Sequence, residues 1–242
     1  MNDVRVGVVG TGFIGLEHVA RFENSITGAS VSAIVEPDES RARTALQISP
    51  NAQWFPTIES ALESKAMDAV LIATPGQFHE PVILPVLEYG LPILCEKPLT
   101  PDPDSSLRIV NAEIAKGRKL IQVGFMRRYD AGYMELKSLI ASKKQGELLG
   151  LHCAHRNPSV PDSYHNEMLI FDSVVHEIDV VRFLTDSPIK SVQVRHLKRN
   201  SLSPERLQEP ILVLLETESG VLASVEMNVS VQFGYQVKTE AV

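Results

Sequence analysis

A glycine-rich turn near the start of the chain constrains its fold more than any other feature. Residues 10–15 read Gly-Thr-Gly-Phe-Ile-Gly and come directly after Val4–Val9, a run rich in β-branched residues. Such a run predicts a buried strand, and the pattern over Ile14–Glu23 predicts a helix. A strand, a Gly-x-Gly-x-x-Gly turn and a helix in this order predict a dinucleotide-binding unit. The alternative is a tight turn that binds no ligand.

Each glycine of this turn has a physical role in holding a dinucleotide. The first permits the tight turn, the second lets the backbone approach a pyrophosphate, and the third lets the helix pack against the sheet. The N-terminus of the helix supplies free N–H groups and a positive partial charge for the phosphates. We therefore expect the cofactor to contact the residues of this turn, which are Gly10, Gly12, Phe13, Ile14 and Gly15.

The first half of the chain repeats the alternation of strand and helix. Further strands are predicted over Val31–Val35, Ala69–Ala73, Ile93–Cys95 and Leu120–Gly124. Helices are predicted over Glu39–Ile48, Pro81–Tyr89 and Ser105–Lys116. This alternation predicts an α/β fold, a doubly wound parallel sheet of the Rossmann type with helices on both faces. We assign residues 1–124 to this dinucleotide-binding domain.

The second half of the chain is organised differently. Helices are predicted over Met134–Lys143 and Asp172–Leu184. Strands are predicted over Leu148–Arg156, Ser191–Leu197, Ile211–Thr217, Val221–Val229 and from Gly234 onward. Apolar residues at every second position from 221 to 229 predict a sheet with unlike faces. We assign residues 125–242 to an α+β substrate domain with an open, mainly antiparallel sheet.

The last residues continue this strand pattern. Tyr235, Val237, Thr239 and Ala241 still alternate with polar residues when the chain stops at Val242. We therefore expect the C-terminal part of the second domain to be missing, which leaves its sheet incomplete.

Charge and cysteine content exclude several classes of protein. The net charge of −7 gives the chain no general attraction for nucleic acid or for anionic lipid. No secretory signal begins the sequence, and no apolar run reaches the roughly 18 residues of a membrane span. Its two cysteines, Cys95 and Cys153, form no disulfide framework. We expect a cytoplasmic protein with no nucleic-acid or membrane partner.

An acidic residue stands where the cofactor ribose is expected. Glu36 ends the second predicted strand, 21 positions after Gly15. An acid about 20 residues after the last glycine is the usual partner of a ribose 2′-hydroxyl, and its charge repels a 2′-phosphate. The position therefore favours NAD over NADP. A solvated loop acid is the alternative, and Arg41 or Arg43 would be able to accept a 2′-phosphate.

A lysine follows another strand of the predicted parallel sheet. Glu96, Lys97 and Pro98 come directly after Ile93–Cys95. The carboxyl ends of the strands face the ligand crevice in such sheets, so Lys97 is placed to hydrogen-bond a substrate hydroxyl. A surface lysine fits the position equally well. Cys95 is predicted to lie in the core.

Two polar residues of the second half are spaced so that their side chains would lie on the same face of a helix. Asp172 and His176 are four positions apart on one predicted helix and would share a face. Histidine is the natural base for a hydroxyl proton near neutral pH, and a carboxylate can fix its tautomer or bind substrate. The alternative is an N-terminal cap at Asp172 and a surface histidine at His176.

The histidines of this half do not indicate a metal site. His176 and Glu177 are not followed by the second histidine of a His-Glu-x-x-His motif. Strand alternation places His152 and His155 on opposite faces. We predict no bound metal.

Several motifs together resemble the Gfo/Idh/MocA oxidoreductases. They are the glycine-rich turn, the sequence Glu96-Lys97-Pro98, and the helix motif Asp172-x-x-x-His176-Glu177. Residues 122–130 and 152–158 are similar to members of this family that act on inositol. The resemblance extends over essentially the whole chain. It implies oxidation of one ring hydroxyl of myo-inositol to a ketone, with NAD as cofactor, by a homotetramer.

The resemblance also implies roles for individual residues. The counterpart of Lys97 contacts the reacting hydroxyl and the nicotinamide ribose, that of His176 accepts the proton, and that of Asp172 orients substrate and base. Other counterparts lie beside the cofactor, at Thr74, Pro75, His79 and Glu96. The polyol pocket is implied at Met126, Arg127, His155, Asn157 and Tyr235.

Two alternatives to this function stay open. The substrate would be another cyclic polyol or an aldose, or the chain would be an NAD-binding regulator without turnover. NAD binding alone does not require Lys97, Asp172 or His176, so their presence favours an enzyme.

Overall fold

The chain forms two compact units, the first ending at Gly124 and the second spanning Phe125–Val242. The structure is a computed structural model and describes residues 3–242. Within that range, none of the helices has both the length and the apolar character that a membrane span requires.

The first unit is built on a six-stranded sheet in which all neighbouring strands are parallel. Its strands are β1 Val4–Val9, β2 Ala29–Val35, β3 Gln53–Phe55, β4 Ala69–Ile72, β5 Ile93–Cys95 and β6 Ile121–Val123. The spatial order β3-β2-β1-β4-β5-β6 is that of the doubly wound dinucleotide-binding fold. The predicted Rossmann sheet is therefore confirmed.

Helices cover both faces of this sheet. They are α1 Phe13–Asn24, α2 Glu39–Ile48, α3 Ile58–Ser64, α4 His79–Tyr89 and α5 Pro103–Ala115. The first two helices bury Val19, Ala42 and Ala45 in one apolar cluster. The other three contribute to a second cluster on the opposite face, where Ile83 and Ile109 are fully buried. Removing these side chains from water is the main force that holds the layers together.

Two elements of the first unit were not predicted from the sequence. Strand β3 has only three residues, and helix α3 has seven. Both are too short for a clear hydrophobic period. A local signal for α3 does exist, because the Thr57 hydroxyl accepts a hydrogen bond from the Ser60 N–H and caps the helix.

The second unit has a five-stranded, mostly antiparallel sheet. Its strands are β7 Gly150–Arg156, β8 Ile189–His196, β9 Ile211–Thr217, β10 Leu222–Asn228 and β11 Gln236–Ala241. Its α-helices are α6 Ala131–Ser142 and α7 Val175–Thr185. In the order β11-β7-β10-β9-β8 only β7 and β10 pair in parallel, which confirms the predicted α+β class.

The two faces of this second sheet differ as the alternation predicts. Ala223, Val225 and Met227 are completely buried in a core that also contains Val181 of α7. Leu222 lies on the other face and is 53% exposed. The sheet is therefore covered by helices on one side only within the described residues.

Candidate active site

A cavity of about 680 Å³ lies in the first unit at the carboxyl ends of β1, β2 and β4. Val9, Val35 and Ala73 belong to its wall. Strand order reverses between β1 and β4, and such a switch point is where doubly wound sheets bind nucleotides. Most of the predicted cofactor-binding residues line this cavity, namely Gly10, Gly12, Phe13, Ile14, Glu36, Thr74 and Pro75.

The glycines of the turn have the environments that a pyrophosphate site requires. Gly10 has a φ of 84°, a conformation that favours glycine. A Cβ on Gly15 would lie 2.0 Å from the Gly10 carbonyl oxygen, so the helix could not pack there with a larger residue. Apart from Gly12 itself and its two chain neighbours, no heavy atom of the described residues lies within 4 Å of a Cβ built on Gly12, so its backbone is open to a ligand.

One polar atom in this region has an unmet hydrogen-bonding capacity. Among residues 3–242, Thr74 Oγ1 is the only buried side-chain nitrogen or oxygen without a hydrogen-bond partner. Buried hydroxyls are nearly always bonded, and Thr74 lines the cavity. The open Gly12 backbone and this hydroxyl together fit a bound NAD.

Glu36 is buried in the cavity wall, which excludes the interpretation as a solvated loop acid. It is 3% exposed, and Oε2 accepts hydrogen bonds from the Thr11 N–H at 2.9 Å and the Thr11 hydroxyl at 3.1 Å. Oε1 accepts from the Asp38 N–H at 3.1 Å and lies 3.0 Å from an Arg41 guanidinium nitrogen. Arg43 is instead paired with Glu39 at 2.6 Å. Glu36 is thus held rigidly where a ribose hydroxyl is expected.

His79 supports the backbone of this region. It is 1% exposed, and Nε2 lies 2.8 Å from the Thr74 carbonyl oxygen. Nδ1 lies 3.0 Å from the carbonyl oxygens of Pro98 and Leu99. These contacts connect the segment after β4 with the segment after β5, while a direct contact of His79 with the cofactor stays a prediction.

The turn after β5 is anchored through Glu96. The Glu96 N–H donates to the Ile72 carbonyl at 2.9 Å, and Glu96 Oε1 lies 2.8 Å from His18 Nε2. Burial alone would raise the pKa of Glu96, but hydrogen bonds from His18 and from the Lys97 N–H, together with the charges of both residues, outweigh burial and lower that pKa. The next residue, Lys97, is half-buried. Cys95 is completely buried and its pKa is raised by burial to about 12, so it is the core residue that was predicted.

Asp172 and His176 lie on consecutive helical segments of the second unit. Leu169–Val174 is a π-helical turn, in which the Val175 N–H donates to the carbonyl of Ile170, five residues earlier. The predicted α-helix is therefore correct from Val175 onward but wrong at Asp172, and α-helical spacing does not describe their relationship. His176 is 6% exposed, which also excludes a surface histidine. Such π-turns often occur at functional sites.

Two aromatic rings lie close to the ring of His176. Its ring centroid lies 6.4 Å from that of Phe125 at an interplanar angle of 84°, and 6.1 Å from that of His155. The His155 ring in turn lies 5.9 Å from the ring of Tyr235. The structure thus brings together three residues that the resemblance assigned to the site, from β7, α7 and the segment before β11.

A buried charged group adjoins these rings, and the sequence analysis named its central residue only as part of a motif, without a role. Glu177 is 1% exposed, pairs with Arg127 through Oε1, and lies 3.2 Å from His155 Nδ1 through Oε2. A signal was present, because Val180, Val181 and Leu184 follow Glu177 at helical spacing and are buried. A carboxylate on the apolar face of a helix requires a buried partner.

The remaining predicted residues have less constrained positions. Met126 is 57% exposed in a short 3₁₀ segment, Met126–Tyr129. Asn157 follows β7, and its N–H donates to the Asn228 carbonyl at 2.8 Å. His152 is exposed, so the prediction that it and His155 lie on opposite faces is confirmed.

Across residues 3–242, no group of three or more His, Cys, Asp and Glu side chains is arranged to hold a metal ion.

Comparison with known proteins places both units in one family. Residues 4–125 match the family model described as "Oxidoreductase family, NAD-binding Rossmann fold". Residues 133–242 match the model described as "GFO/IDH/MocA C-terminal domain".

Individual relatives extend this similarity over nearly the whole chain. Inositol 2-dehydrogenase of Corynebacterium glutamicum is 58% identical over 239 residues, which are 99% of this chain and 71% of that protein. The enzyme of the same name from Leifsonia xyli is 56% identical over 240 residues, 99% of this chain and 70% of that protein. Among solved structures, myo-inositol dehydrogenase from Lactobacillus casei, in complex with NAD(H) and myo-inositol, is similar with a TM-score of 0.95 and 38% identity. That match covers 99% of this chain and 71% of the other.

Proposed function

The chain belongs to the Gfo/Idh/MocA family of oxidoreductases with an NAD-binding Rossmann fold, and we propose that it oxidises one ring hydroxyl of myo-inositol to a ketone. The observation that carries the substrate assignment is the similarity, at 58% identity across both units, to a protein named inositol 2-dehydrogenase. The cavity at the glycine-rich turn, with Glu36 in its wall, supports NAD as the cofactor.

Oxidation of a secondary alcohol removes a hydride from carbon and a proton from oxygen. NAD, when bound, supplies the hydride acceptor at its nicotinamide ring. The residues of this chain have to accept the proton, stabilise the oxygen as it becomes negative, and orient the ring hydroxyl.

We assign the proton transfer to His176. An imidazole changes its protonation state near neutral pH and is the commonest general base in enzymes. Its ring is buried beside Phe125 and His155, and this packing restricts its orientation. A fixed orientation favours proton transfer, because the base has to be within hydrogen-bonding distance of the hydroxyl.

Lys97 and Asp172 are proposed to complete the chemistry. An ammonium group next to the reacting hydroxyl stabilises negative charge on the oxygen in the transition state. Lys97 is suited to this role because the turn after β5 holds its backbone, with the Lys97 N–H donating to Glu96 Oε2 at 3.3 Å. Asp172 is proposed to orient the substrate and the imidazole of His176.

We propose that the polyol is bound by side chains of the second unit, most of them polar. A cyclic polyol offers hydroxyl groups that both donate and accept hydrogen bonds. The residues proposed for this contact are Met126, Arg127, His155, Asn157 and Tyr235. Arg127 and His155 support the assignment best, because they lie in one buried polar group beside His176.

A substrate panel tests this function. The purified chain is incubated with NAD and, separately, myo-inositol, other inositols, and aldoses, and NADH is followed by absorbance. We expect the highest kcat/KM with myo-inositol. A higher value for another polyol or an aldose would move the assignment to that substrate. Binding of NAD without turnover of any compound would favour a regulator.

We further propose that the protein is a cytoplasmic homotetramer. Val192, Val194 and Leu222 expose apolar surface on the strands of the second unit, and burial of such surface favours association. Both cysteines are free thiols, as expected in a reducing compartment. Light scattering after size-exclusion chromatography at micromolar concentration measures the oligomeric state, and a monomer would contradict this proposal.

A further inference from the structure

Glu177, which follows the proposed base His176 in the sequence, supports a further inference. We propose that Glu177 is a positioning residue: it anchors Arg127 and keeps the ring proton of His155 on Nδ1, so that Nε2 of His155 accepts a hydrogen bond from a substrate hydroxyl. The inference rests on the proposed polyol oxidation, because the polyol supplies the hydroxyl donor.

The first step of the argument is that Glu177 is ionised. Burial alone would raise its pKa, but the hydrogen bond from His155 and the positive charge of Arg127 outweigh burial and lower it. An ionised carboxylate only accepts hydrogen bonds. Its two oxygens therefore need donors, and Arg127 satisfies Oε1 through a guanidinium N–H.

The second step identifies the donor to the other oxygen. His155 Nδ1 lies 3.2 Å from Glu177 Oε2, so Nδ1 carries the proton in this contact. A guanidinium nitrogen of Arg127 lies 3.5 Å from the same Nδ1. That longer contact is weaker than a hydrogen bond to a carboxylate, so it does not determine the tautomer. In a neutral imidazole, a proton on Nδ1 leaves the lone pair on Nε2.

The third step concerns the access of Nε2. Thr74 Oγ1 is the only enclosed, unbonded side-chain nitrogen or oxygen in residues 3–242, and within the same range the polar contacts of His155 all involve Nδ1. Nε2 is therefore open to a ligand rather than sealed in the core. The centroids of the His176 and Tyr235 rings lie 6.1 and 5.9 Å from the centroid of the His155 ring.

The helix provides a matched control two residues further on. Asp179 is 4% exposed and pairs with Arg128, whose guanidinium lies 2.7 to 3.0 Å from both carboxylate oxygens. Replacing either Glu177 or Asp179 by its amide removes one buried charge from one ion pair on the same helix. Only the change at Glu177 affects the anchor of His155.

Nitrogen NMR is the primary test, because its readout comes from the wild-type protein and does not depend on turnover. Histidine is labelled with ¹⁵N, and the signals of His155 are assigned with the variant His155→Gln. We expect Nδ1 to be protonated and Nε2 to be unprotonated. Adding myo-inositol with NADH, so that no oxidation occurs, should shift the Nε2 signal. The opposite tautomer, or an Nε2 signal that does not respond, overturns the proposal.

Steady-state kinetics is the second test. In Glu177→Gln the amide has only one acceptor oxygen for the two donors, so its NH₂ group faces either Arg127 or His155 Nδ1 and one of the two anchoring contacts is lost. We expect KM for myo-inositol to rise by about tenfold or more, as for a buried group left unpaired, with KM for NAD unchanged. Asp179→Asn should change neither constant. An equal rise in KM for myo-inositol in the two variants would indicate that Glu177 has only a structural role.

The two tests also separate this inference from the proposed function. A protein that does not oxidise inositol but has the expected His155 tautomer contradicts the substrate assignment and leaves the anchoring role of Glu177 intact. Normal oxidation of inositol by Glu177→Gln contradicts the positioning role alone.

Discussion

Nε2 of His18 in helix α1 lies 2.8 Å from Oε1 of Glu96 in the turn after strand β5. The contact joins residues 78 positions apart and ties the helix of the glycine-rich turn to the segment that carries Lys97. Both side chains are mostly shielded from solvent, with exposed fractions of 18% and 26%.

Removing this contact should weaken the first unit. We expect His18→Ala to lower the free energy of unfolding by about 1 kcal/mol, because the partly buried Glu96 carboxylate loses its partner. Urea unfolding measures the change. Glu17→Ala, at the exposed neighbouring position of the same helix, is the control. If both variants unfold at the same urea concentration, the His18–Glu96 contact contributes nothing measurable.

The buried carboxylate of Glu36 should make NAD the preferred cofactor. Repulsion of a 2′-phosphate and loss of the ribose hydrogen bond should lower kcat/KM for NADP by more than about tenfold. Glu36→Gln should narrow this preference, because it removes the charge and releases Arg41 from its ion pair. Glu63→Gln, which changes an exposed carboxylate of α3, is the control. Equal efficiency of the wild type with both cofactors would contradict this role of Glu36.

Loss of the proposed base should abolish most of the turnover. We expect His176→Ala to bind NAD normally and to lose about 10²–10⁴-fold in kcat, the usual contribution of a general base. Lys97→Ala should also reduce kcat. His165→Ala is the matched control, because that histidine is exposed and paired with Glu167 at 2.7 Å. Turnover near the wild-type value in His176→Ala would show that another group accepts the proton.

Acid should destabilise the first unit through Glu80. Hydrogen bonds from Arg108 and then Ser105 lower the pKa of this carboxyl from 4.5 to about 2. Because the folded-state pKa is the lower one, the stabilisation is fully present above pH 4.5 and is lost as the pH falls towards about 2.

Thermal unfolding between pH 5 and pH 2 measures this dependence. We expect Glu80→Gln to lower the melting temperature at pH 5 and to make it less sensitive to acid. Glu59→Gln, at an exposed position of α3, should retain the acid sensitivity of the wild type. Parallel curves for the wild type and Glu80→Gln would exclude a contribution from this carboxyl.

Local patterns in the sequence were sufficient to place most of the regular structure. Strands Val4–Val9 and Ile211–Thr217 and helix Glu39–Ile48 have the predicted bounds. Asp38 caps that helix, accepting hydrogen bonds from the N–H groups of Ser40 and Arg41. These features depend on neighbouring residues, so a hydrophobic period or a capping side chain is enough to reveal them.

The π-helical turn shows where local patterns fail. The residues of Leu169–Val174 are compatible with an α-helix, and helical spacing alone placed Asp172 and His176 on one face. In the folded second unit these residues form the wider turn, and Ser173 and Val174 are buried. The apolar spacing of the residues does not distinguish a π-helical turn from an α-helical one.

By itself, the sequence determined most of the strands and helices and their order, the glycine-rich turn and the acid that follows β2, because each rests on short-range spacing. The tertiary structure alone decided which buried charges meet. Glu177 pairs with Arg127, 50 positions away, and with His155, 22 positions away. Such pairs form because the fold brings a strand, a helix and a short turn together and then removes water from between them. The desolvated charges need partners at these distances, and only the folded backbone specifies which residues can provide them.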